Sequence, residues 1–325
     1  TSTEPAASTG LASGLAGAGR FASSVLLPAA TAAGFGPWTR ITSAGGASAV
    51  RVGEANGFTE AVPTATDVVT AEDTDVAFVA TRHDSHAEIV IEALAAGKHV
   101  FCEKPLAITD DELDRVVEAW NTAPGVLMVG FNRRWSPAVD AAISVVGRTS
   151  PLQITYRVHA GALPDDHWLK DRRQGGRLLG EGCHFIDTCN AITGENPRSV
   201  YAVASGAEEL LLREDFTITL DYPSGSQAVI IYSSGAPRGA GKERVEVIRG
   251  DRSAVIEDYR SVVLRSAKAT GTRKYRPADK GHQAEFVVFR EAIEGQRDAD
   301  DLTRSAAVTT QVALSAVESL MTGRA

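Results

Sequence analysis

A glycine-rich turn, Gly17-Ala18-Gly19-Arg20-Phe21-Ala22, joins a short apolar segment at residues 11–16 to a segment with helical patterning. Gly17 and Gly19 permit a tight turn and a close approach of backbone N–H groups to a pyrophosphate, and Ala22 lets the helix pack against the strand. The helix N-terminus adds unpaired N–H groups and partial positive charge. The turn therefore predicts a dinucleotide-binding unit. A plain strand–helix turn remains an alternative, because the chain has 30 glycines.

The first part of the chain alternates short apolar runs with amphipathic segments. Strands are predicted over residues 11–16, 39–43, 76–80, 99–102 and 126–130. Helices are predicted over residues 21–33, 47–56 and 86–96, and after Thr109, which can cap a further helix with Glu112. Continuous apolar runs are typical of strands buried on both faces. This pattern predicts a doubly wound parallel sheet of the α/β class over residues 11–135.

The second part, residues 136–325, changes character. Its strand-like segments alternate apolar with polar residues and lie at residues 152–159, 199–205, 216–222, 227–233, 243–249, 253–258 and 261–265. Helices are predicted over residues 181–192, 284–293 and 305–321. This pattern predicts an α+β domain with a large, mostly antiparallel, open-faced sheet. Because an apolar exposed face needs cover, we also expect a homo-oligomer formed through that sheet.

Composition excludes several classes of partner. The formal net charge is −8, and the scattered lysines and arginines form no basic stripe, so nucleic acid is not expected. No apolar run approaches the roughly 18 residues of a membrane helix. Three cysteines without metal spacing argue against a disulfide framework and predict a reducing, cytoplasmic setting without a metal site. Residues 1–10 read as a linker or disordered start, without the pattern of a secretory signal.

Glu103-Lys104-Pro105 follows a predicted buried strand. Ligands of open α/β sheets bind beyond the carboxyl ends of the strands, so Lys104 is a candidate catalytic residue. The alternative is a surface lysine paired with Glu103. The order and separation of the glycine turn and this lysine favour a nicotinamide-dependent oxidoreductase.

The acidic residue expected about 20 positions after the glycine turn is absent. The chain has Ser43 near this position, and a serine could donate to a 2′-phosphate. Either NAD or NADP therefore fits the sequence.

His184 lies in the segment Gly175-Gly176-Arg177-Leu178-Leu179-Gly180-Glu181-Gly182-Cys183-His184-Phe185-Ile186-Asp187. Histidine is suited to accept a hydroxyl proton near neutral pH. A lone helical histidine is more often a core residue, and both interpretations remain open at this point.

Several motifs together resemble the glucose–fructose oxidoreductase / inositol dehydrogenase / MocA family. They are the glycine turn, Ala77-Phe78-Val79-Ala80-Thr81 with His86, the stretch from Ala96 to Ala107, the segment from Gly175 to Asp187, and Gly281-His282-Gln283-Ala284-Glu285. The stretches Thr81–His86, Gly130–Trp135 and His167–Leu169 resemble a subgroup often fused behind a zinc-type alcohol dehydrogenase domain. The chain could therefore be part of a longer fusion protein.

This resemblance implies a Rossmann domain, a second open-faced domain, and reversible hydride transfer between NAD(P) and a hydroxyl of a sugar, nucleotide-sugar or cyclitol. Lys104 would bind the nicotinamide ribose and the reacting oxygen, and His184 would exchange the proton. Other residues implied at the cofactor are Gly17, Gly19, Arg20, Phe21, Ala22, Ser43, Thr81, Arg82, His83, His86 and Glu103. Residues implied at the substrate, besides Lys104 and His184, are Arg133 and Trp168.

Two positions depart from the family pattern. The family commonly has an aspartate four residues before the histidine, where this chain has Gly180, and often has Pro-Asn where this chain has Arg82-His83. We therefore expect a less basic His184, unless Asp187 or Glu181 supplies the missing carboxylate. A non-catalytic NAD(P) or sugar sensor is the alternative function. A module that receives its substrate from a fused or partner dehydrogenase is a third.

Overall fold

The computed structural model describes residues 10–149, 151–206, 208–237 and 239–324. Within these ranges the strands form two sheets, each with helices packed against it. Apart from Gly10, the predicted start segment 1–10 lies outside the described residues. None of the described helices combines the length and the apolar character needed to cross a membrane.

The first sheet contains six parallel strands. They are β1 (Leu11–Ala16), β2 (Phe35–Thr42), β3 (Glu60–Ala61), β4 (Val76–Val79), β5 (His99–Cys102) and β6 (Leu127–Val129). The accompanying helices are α1 (Leu27–Ala32, after a π-helical turn Ala22–Leu26), α2 (Ala47–Asn56), α3 (Ala65–Val69), α4 (His86–Ala95) and α5 (Asp110–Thr122). The strand order β3-β2-β1-β4-β5-β6 reverses direction between β1 and β4. This switch point is where open α/β sheets bind ligands.

Strand β2 begins at Phe35, earlier than the predicted start at residue 39. The prediction stopped short because Gly36 and Pro37 interrupt the apolar pattern. In the structure these two residues lie in a bulge, since β1 pairs Leu11 with Phe35 and Ser13 with Trp38. Strand β3 and helix α3 were not predicted, because both are too short to show a period.

The second part begins with α6 (Pro137–Val146), which was not predicted. Its sheet contains β7 (Gln153–His159), β8 (Ser199–Ser205), β9 (Asp215–Asp221), β10 (Gln227–Ser233), β11 (Glu243–Arg249), β12 (Arg252–Glu257), β13 (Ser261–Ser266) and β14 (Ala269–Lys274). The order is β14-β13-β12-β11-β7-β10-β9-β8, and the only parallel pair in it is β7 with β10. The predicted mostly antiparallel sheet is confirmed, although β14 was missed because all its residues are exposed.

The remaining α-helices of the described residues are α7, α8 and α9. Helix α7 (Cys183–Thr193) follows a π-helical turn (Leu178–Gly182) and precedes β8, whereas α8 (His282–Ile293) and α9 (Ala299–Thr322) follow β14. Helix α8 packs against the first sheet rather than the second. The rings of Phe101 and Phe286 lie 4.7 Å apart, and Phe35 stacks on Phe289 at 5.5 Å. This aromatic core fixes the point at which the chain enters α8, beside the switch point. The domain boundary after residue 135 stays a prediction.

Candidate active site

The glycine turn connects β1 to the π-helical turn that precedes α1. Gly17 has φ +108°, and a Cβ built there would lie 2.3 Å from the carbonyl oxygen of Ala80, so no other residue fits this turn. A Cβ on Gly19, by contrast, would meet no protein atom within 4 Å. Gly19 therefore faces open space beside a helix N-terminus, which fits the close approach of a pyrophosphate. Ala22 is buried, as expected for helix–strand packing.

Arg20 and Phe21 are exposed at the start of this helix. The carbonyl oxygen of Arg20 accepts hydrogen bonds from the hydroxyls of Ser23 and Ser24, at 3.2 Å and 2.7 Å. The ring of Phe21 lies 5.9 Å from that of His282, at the entrance of α8. These contacts use the Arg20 backbone, and the contact of its side chain with a cofactor stays a prediction.

Ser43 follows β2 at the edge of the predicted cofactor site. Its hydroxyl accepts hydrogen bonds from the backbone N–H of Ala49 at 3.2 Å and from Ser48 Oγ at 2.8 Å. Ser43 thus supports the first turn of α2, and its contact with a cofactor stays a prediction. Arg40 pairs with Asp73 at 3.4 Å. The described contacts leave the choice between NAD and NADP open.

A cleft of about 480 Å³ lies between the carboxyl ends of β4 and β5 and the start of α7. The predicted site residues that line it are Phe21, Thr81, His83, His86, Glu103, Lys104, Arg133, Trp168 and His184. The predicted residues that do not line it are Gly17, Gly19, Arg20, Ala22, Ser43, Arg82, Glu181 and Asp187. The two proposed catalytic residues therefore line one cavity, although Lys104 lies in the loop after β5 and His184 lies in helix α7, far apart in the chain.

Lys104 is held by the backbone of the opposite wall. Its Nζ donates a hydrogen bond of 2.7 Å to the carbonyl oxygen of Gly180. In the described residues Lys104 has no ion pair with Glu103, the alternative that the sequence left open. Burial raises the pKa of Glu103 to about 7, and the charge of Lys104 opposes that rise.

His184 lies in the first turn of α7 and is 9% exposed. Its Nδ1 is buried and has no hydrogen-bond partner among the described residues. Burial lowers the pKa of His184 well below its usual value, and the charges of Arg133 and Lys104 lower it further. The imidazole is therefore neutral near pH 7 and can accept a proton. An orphaned polar atom in such a place calls for a ligand or water partner.

The two carboxylates proposed to support His184 are engaged elsewhere. Asp187 pairs with Arg134 at 3.2 Å and accepts a hydrogen bond of 3.4 Å from Thr309. Glu181 pairs with Arg177 at 3.2 Å. Neither forms a hydrogen bond with the His184 ring in the described part of the chain. The lowered pKa agrees with the expectation of a less basic histidine.

The segment after β4 forms one side of the cleft mouth. His83 is buried, its Nδ1 lies 2.9 Å from the carbonyl oxygen of Gln174, and its ring meets the edge of Trp168 at 4.7 Å. The guanidinium of Arg82 lies 4.6 Å above the Trp168 ring. Burial lowers the pKa of His83 to about 2. Arg82, His83 and Trp168 thus form a packed wall rather than a set of free donors.

His86 joins the two loops that carry the cofactor side of the cleft. Its Nδ1 lies 2.8 Å from the carbonyl oxygen of Pro105, and its Nε2 lies 3.3 Å from that of Thr81. Burial lowers its pKa. His86 therefore fixes the end of β4 relative to the loop after β5, where Lys104 lies.

Arg133 binds Glu243 in a bidentate pair, with Nε and Nη2 at 2.7 Å and 3.0 Å from the two carboxylate oxygens. The structure also adds three polar lining residues that were not predicted as site residues: Asn132, Lys280 and His282. Asn132 Nδ2 lies 2.8 Å from the Lys280 carbonyl oxygen and 3.1 Å from His282 Nε2. The motif at residues 281–285 marked this segment, but no local pattern indicated where it would lie.

No group of three or more His, Cys, Asp or Glu side chains suited to a metal ion occurs within the described ranges. The site thus offers the glycine turn at Gly17 and Gly19, which suits a dinucleotide, the Lys104 ammonium and the neutral imidazole of His184.

Comparison with known proteins identifies the family of the chain. Residues 11–131 match the model of an oxidoreductase family with an NAD-binding Rossmann fold, and residues 142–255 match the GFO/IDH/MocA C-terminal domain. The oxidoreductase YrbE of Bacillus subtilis is 28% identical over 79% of each chain. Inositol 2-dehydrogenase of Rhizobium meliloti is 30% identical over 62% of each chain. An aldose–aldose oxidoreductase from Caulobacter crescentus has the same fold, with a TM-score of 0.83 at 22% identity over 97% of this chain and 98% of that one.

The Rossmann sheet and the glycine turn, together with the family match over residues 11–131, define an oxidoreductase with an NAD-binding domain. The chain belongs to the GFO/IDH/MocA oxidoreductase family. The finer resemblance to the subgroup fused to a zinc-type alcohol dehydrogenase domain stays a prediction.

Proposed function

We propose that this protein catalyses reversible hydride transfer between NAD(P) and a hydroxyl or carbonyl group of a sugar, nucleotide-sugar or cyclitol. The observation that carries the proposal is the cleft itself, in which Lys104 and His184 meet beyond the carboxyl ends of β4 and β5. The similarity to inositol 2-dehydrogenase supports a polyhydroxylated substrate.

The surroundings of Lys104 and His184 support a separate catalytic role for each of them. The bound nicotinamide supplies or accepts the hydride. Lys104 Nζ donates one hydrogen bond to the Gly180 carbonyl, and its other hydrogens remain available for the reacting oxygen. A fixed positive donor stabilises a developing alkoxide strongly in a dry site. His184, kept neutral by burial, takes the hydroxyl proton during oxidation and returns it during reduction.

The direct test is turnover. Purified protein is incubated with a panel of sugars, nucleotide-sugars and cyclitols, each with NAD and with NADP, and the absorbance of the reduced nicotinamide is followed. Lys104→Ala and His184→Ala serve as controls for contaminating dehydrogenases. Turnover that is lost in both variants supports the proposal, and turnover unchanged in both contradicts it.

The second candidate is a non-catalytic NAD(P) or sugar sensor on the same fold. It is favoured by the absence of a carboxylate partner for His184 among the described residues, which follows from Gly180 and from the pairing of Asp187 with Arg134. Tight binding of cofactor and sugar by calorimetry, without turnover of any compound in the panel, would select this function.

We also propose that the protein forms a homo-oligomer through the open face of its second sheet, and that it works in the cytoplasm. Large apolar side chains on that face support the first proposal, among them Val203 and Ile231. The three cysteines, all buried and unpaired, support a reducing compartment.

A further inference from the structure

One wall of the cleft comes from residues 279–282, a segment far along the chain from the rest of the site. Ser136 Oγ donates a hydrogen bond of 2.7 Å to the carbonyl oxygen of Asp279, and Asn132 Nδ2 donates one of 2.8 Å to that of Lys280. Gly281 has φ +84°, and a Cβ there would lie 2.4 Å from the carbonyl oxygen of Asn132. The turn is therefore locked against the cleft, and it holds the Lys280 side chain in a fixed place.

The Lys280 ammonium is only partly satisfied. It donates to Oε1 of Glu243 at 2.5 Å, while its side chain keeps 27% of its surface exposed. Glu243 is fully buried and already carries the bidentate Arg133 and a hydrogen bond of 2.8 Å from Tyr156. One carboxylate thus serves two cations. Because an ammonium has three hydrogens, Lys280 retains donors for a further acceptor in the cleft.

Positive charge exceeds negative charge in this cavity. Three lining residues are cations, Lys104, Arg133 and Lys280, while the lining carboxyl, Glu103, has its pKa raised by burial to about 7. The four lining histidines do not add charge, because burial lowers their pKa values; they are His83, His86, His184 and His282. Behind the walls, Glu243 is the ionised carboxylate that faces Arg133 and Lys280. Glu181 is a second one, whose charge acts on Lys104 but is paired with Arg177.

Glu243 supplies one negative charge for two cations, Arg133 and Lys280, which leaves a positive charge that a ligand could balance. Buried cations are unfavourable unless they are paired and hydrogen-bonded. Burial lowers the pKa of Lys280, the charge of Glu243 opposes this, and the nearby charge of Arg133 adds to the lowering. An anionic group placed at Lys280 would offset both effects, whereas a neutral hydroxyl could accept a hydrogen bond but would not balance the charge.

We propose that the substrate is a carbohydrate bearing an anionic group, a carboxylate or a phosphate, and that Lys280 binds this group. The inference rests on the proposed function, since it assigns the substrate class of the same cleft. Lys104 and His184 would act on the reacting hydroxyl, while Lys280 would set which sugar is accepted.

The test compares matched sugars with the wild-type protein and NAD(P): glucose, glucuronate and glucose 6-phosphate. We expect kcat/KM for one of the two anionic sugars to exceed that for glucose by roughly 10–100-fold, the range of a charge-assisted hydrogen bond. A preference for glucuronate would indicate a carboxylate as the anionic group, and a preference for glucose 6-phosphate would indicate a phosphate. In Lys280→Met the ratio of anionic to neutral kcat/KM should fall close to one, and in Lys280→Arg it should be largely retained. Lys268→Met, which removes an exposed lysine from the turn between β13 and β14, is the matched control and should keep the wild-type ratio.

Several outcomes would overturn the inference. Equal kcat/KM for glucose and both anionic sugars would do so, as would an unchanged ratio in a folded Lys280→Met protein. A loss of NAD(P)H affinity in Lys280→Met with no change of ratio would assign Lys280 to the cofactor instead. If no compound of the full panel of sugars, nucleotide-sugars and cyclitols is turned over, the proposed function fails. Calorimetry of glucuronate, glucose 6-phosphate and glucose with the NADH-saturated protein then decides the inference, and equal affinities would reject it.

Discussion

The imidazole of His83 occupies the space that a side chain at position 180 would need. A Cβ built on Gly180 would lie 2.6 Å from His83 Cε1 and 3.2 Å from Cδ2 of Leu169. The aspartate that the family resemblance places at this position cannot enter while His83 stays. The two departures from the family pattern, at positions 83 and 180, therefore lie against each other. Lys104 donates its hydrogen bond to the backbone carbonyl of residue 180.

This relationship predicts the behaviour of Gly180→Asp. The new side chain would clash with His83, so we expect a loss of roughly 1–3 kcal/mol in unfolding free energy, as for overpacked cores, and a loss of activity. Adding His83→Asn should restore much of both, because it removes the ring. Denaturant unfolding and kcat/KM of the four proteins of the cycle measure the coupling. Gly271→Asp, at an open and exposed position on β14, is the control. Strictly additive effects of the two substitutions would show that the residues do not compete for space.

Substitutions of Lys104 and His184 should lower the turnover rate for different reasons. Lys104→Ala removes a charge that acts on the developing alkoxide, so kcat should fall by roughly two to four orders of magnitude. His184→Ala removes the proton acceptor, at a cost of roughly 10²–10⁴.

The pH profile separates the role of His184 from a structural one. Since burial lowers the pKa of His184, its neutral, proton-accepting form persists below pH 6.5. The acid limb of kcat/KM for oxidation should therefore lie below the range of an ordinary histidine, and His184→Ala should lose that limb. Full activity with an unchanged profile in His184→Ala would make the residue structural and would assign the proton transfer to a different route.

The glycine turn offers a matched pair of substitutions. Gly19→Val should abolish NAD(P) binding and leave thermal unfolding unchanged, because a Cβ at Gly19 meets no protein atom and would intrude only on a ligand. Gly17→Val should impair folding itself, because φ is +108° and the Cβ would lie 2.3 Å from a backbone oxygen. Calorimetry and thermal melts distinguish the two effects. Undiminished cofactor affinity in a folded Gly19→Val protein would remove the turn from the cofactor site.

Features with a local cause could be predicted from the sequence. Helix α2 has the predicted bounds, closed by Gly57 in the left-handed conformation, and β8, β10 and β11 match their predicted ranges. Each is encoded by a period or by a residue with a special backbone preference. Helix α6 was not predicted, although Ser136 caps it and Pro137 begins it.

The rest of the site depends on contacts between distant positions. Nothing near Lys280 in the sequence indicates that Asn132 holds it at the cleft, and nothing near Gly180 indicates His83. Asp187 was considered as a partner for His184 because they lie three residues apart on one helix. Its carboxylate instead binds Arg134 and Thr309, which belong to other elements of the structure. Local patterns locate candidate residues, whereas the packing of distant segments decides their partners.

The open face of the second sheet predicts the oligomeric state. Tyr201, Val203, Ile231 and Ile248 lie on this face with 41%, 45%, 42% and 41% of their surface exposed. In β9, which lies between β8 and β10, Thr217 pairs with both Val203 and Ile231, so that these two residues share one row of the face. Exposed aliphatic residues on a broad sheet favour a self-complementary interface, since each copy presents the same surface to the other. Ile231→Arg would bury a charge in that interface and should shift the protein towards the monomer in light scattering at micromolar concentration. Val287→Arg, which changes a residue of equal exposure on α8, should leave the oligomer intact. If the wild-type protein is itself monomeric under these conditions, the sheet face is not an interface.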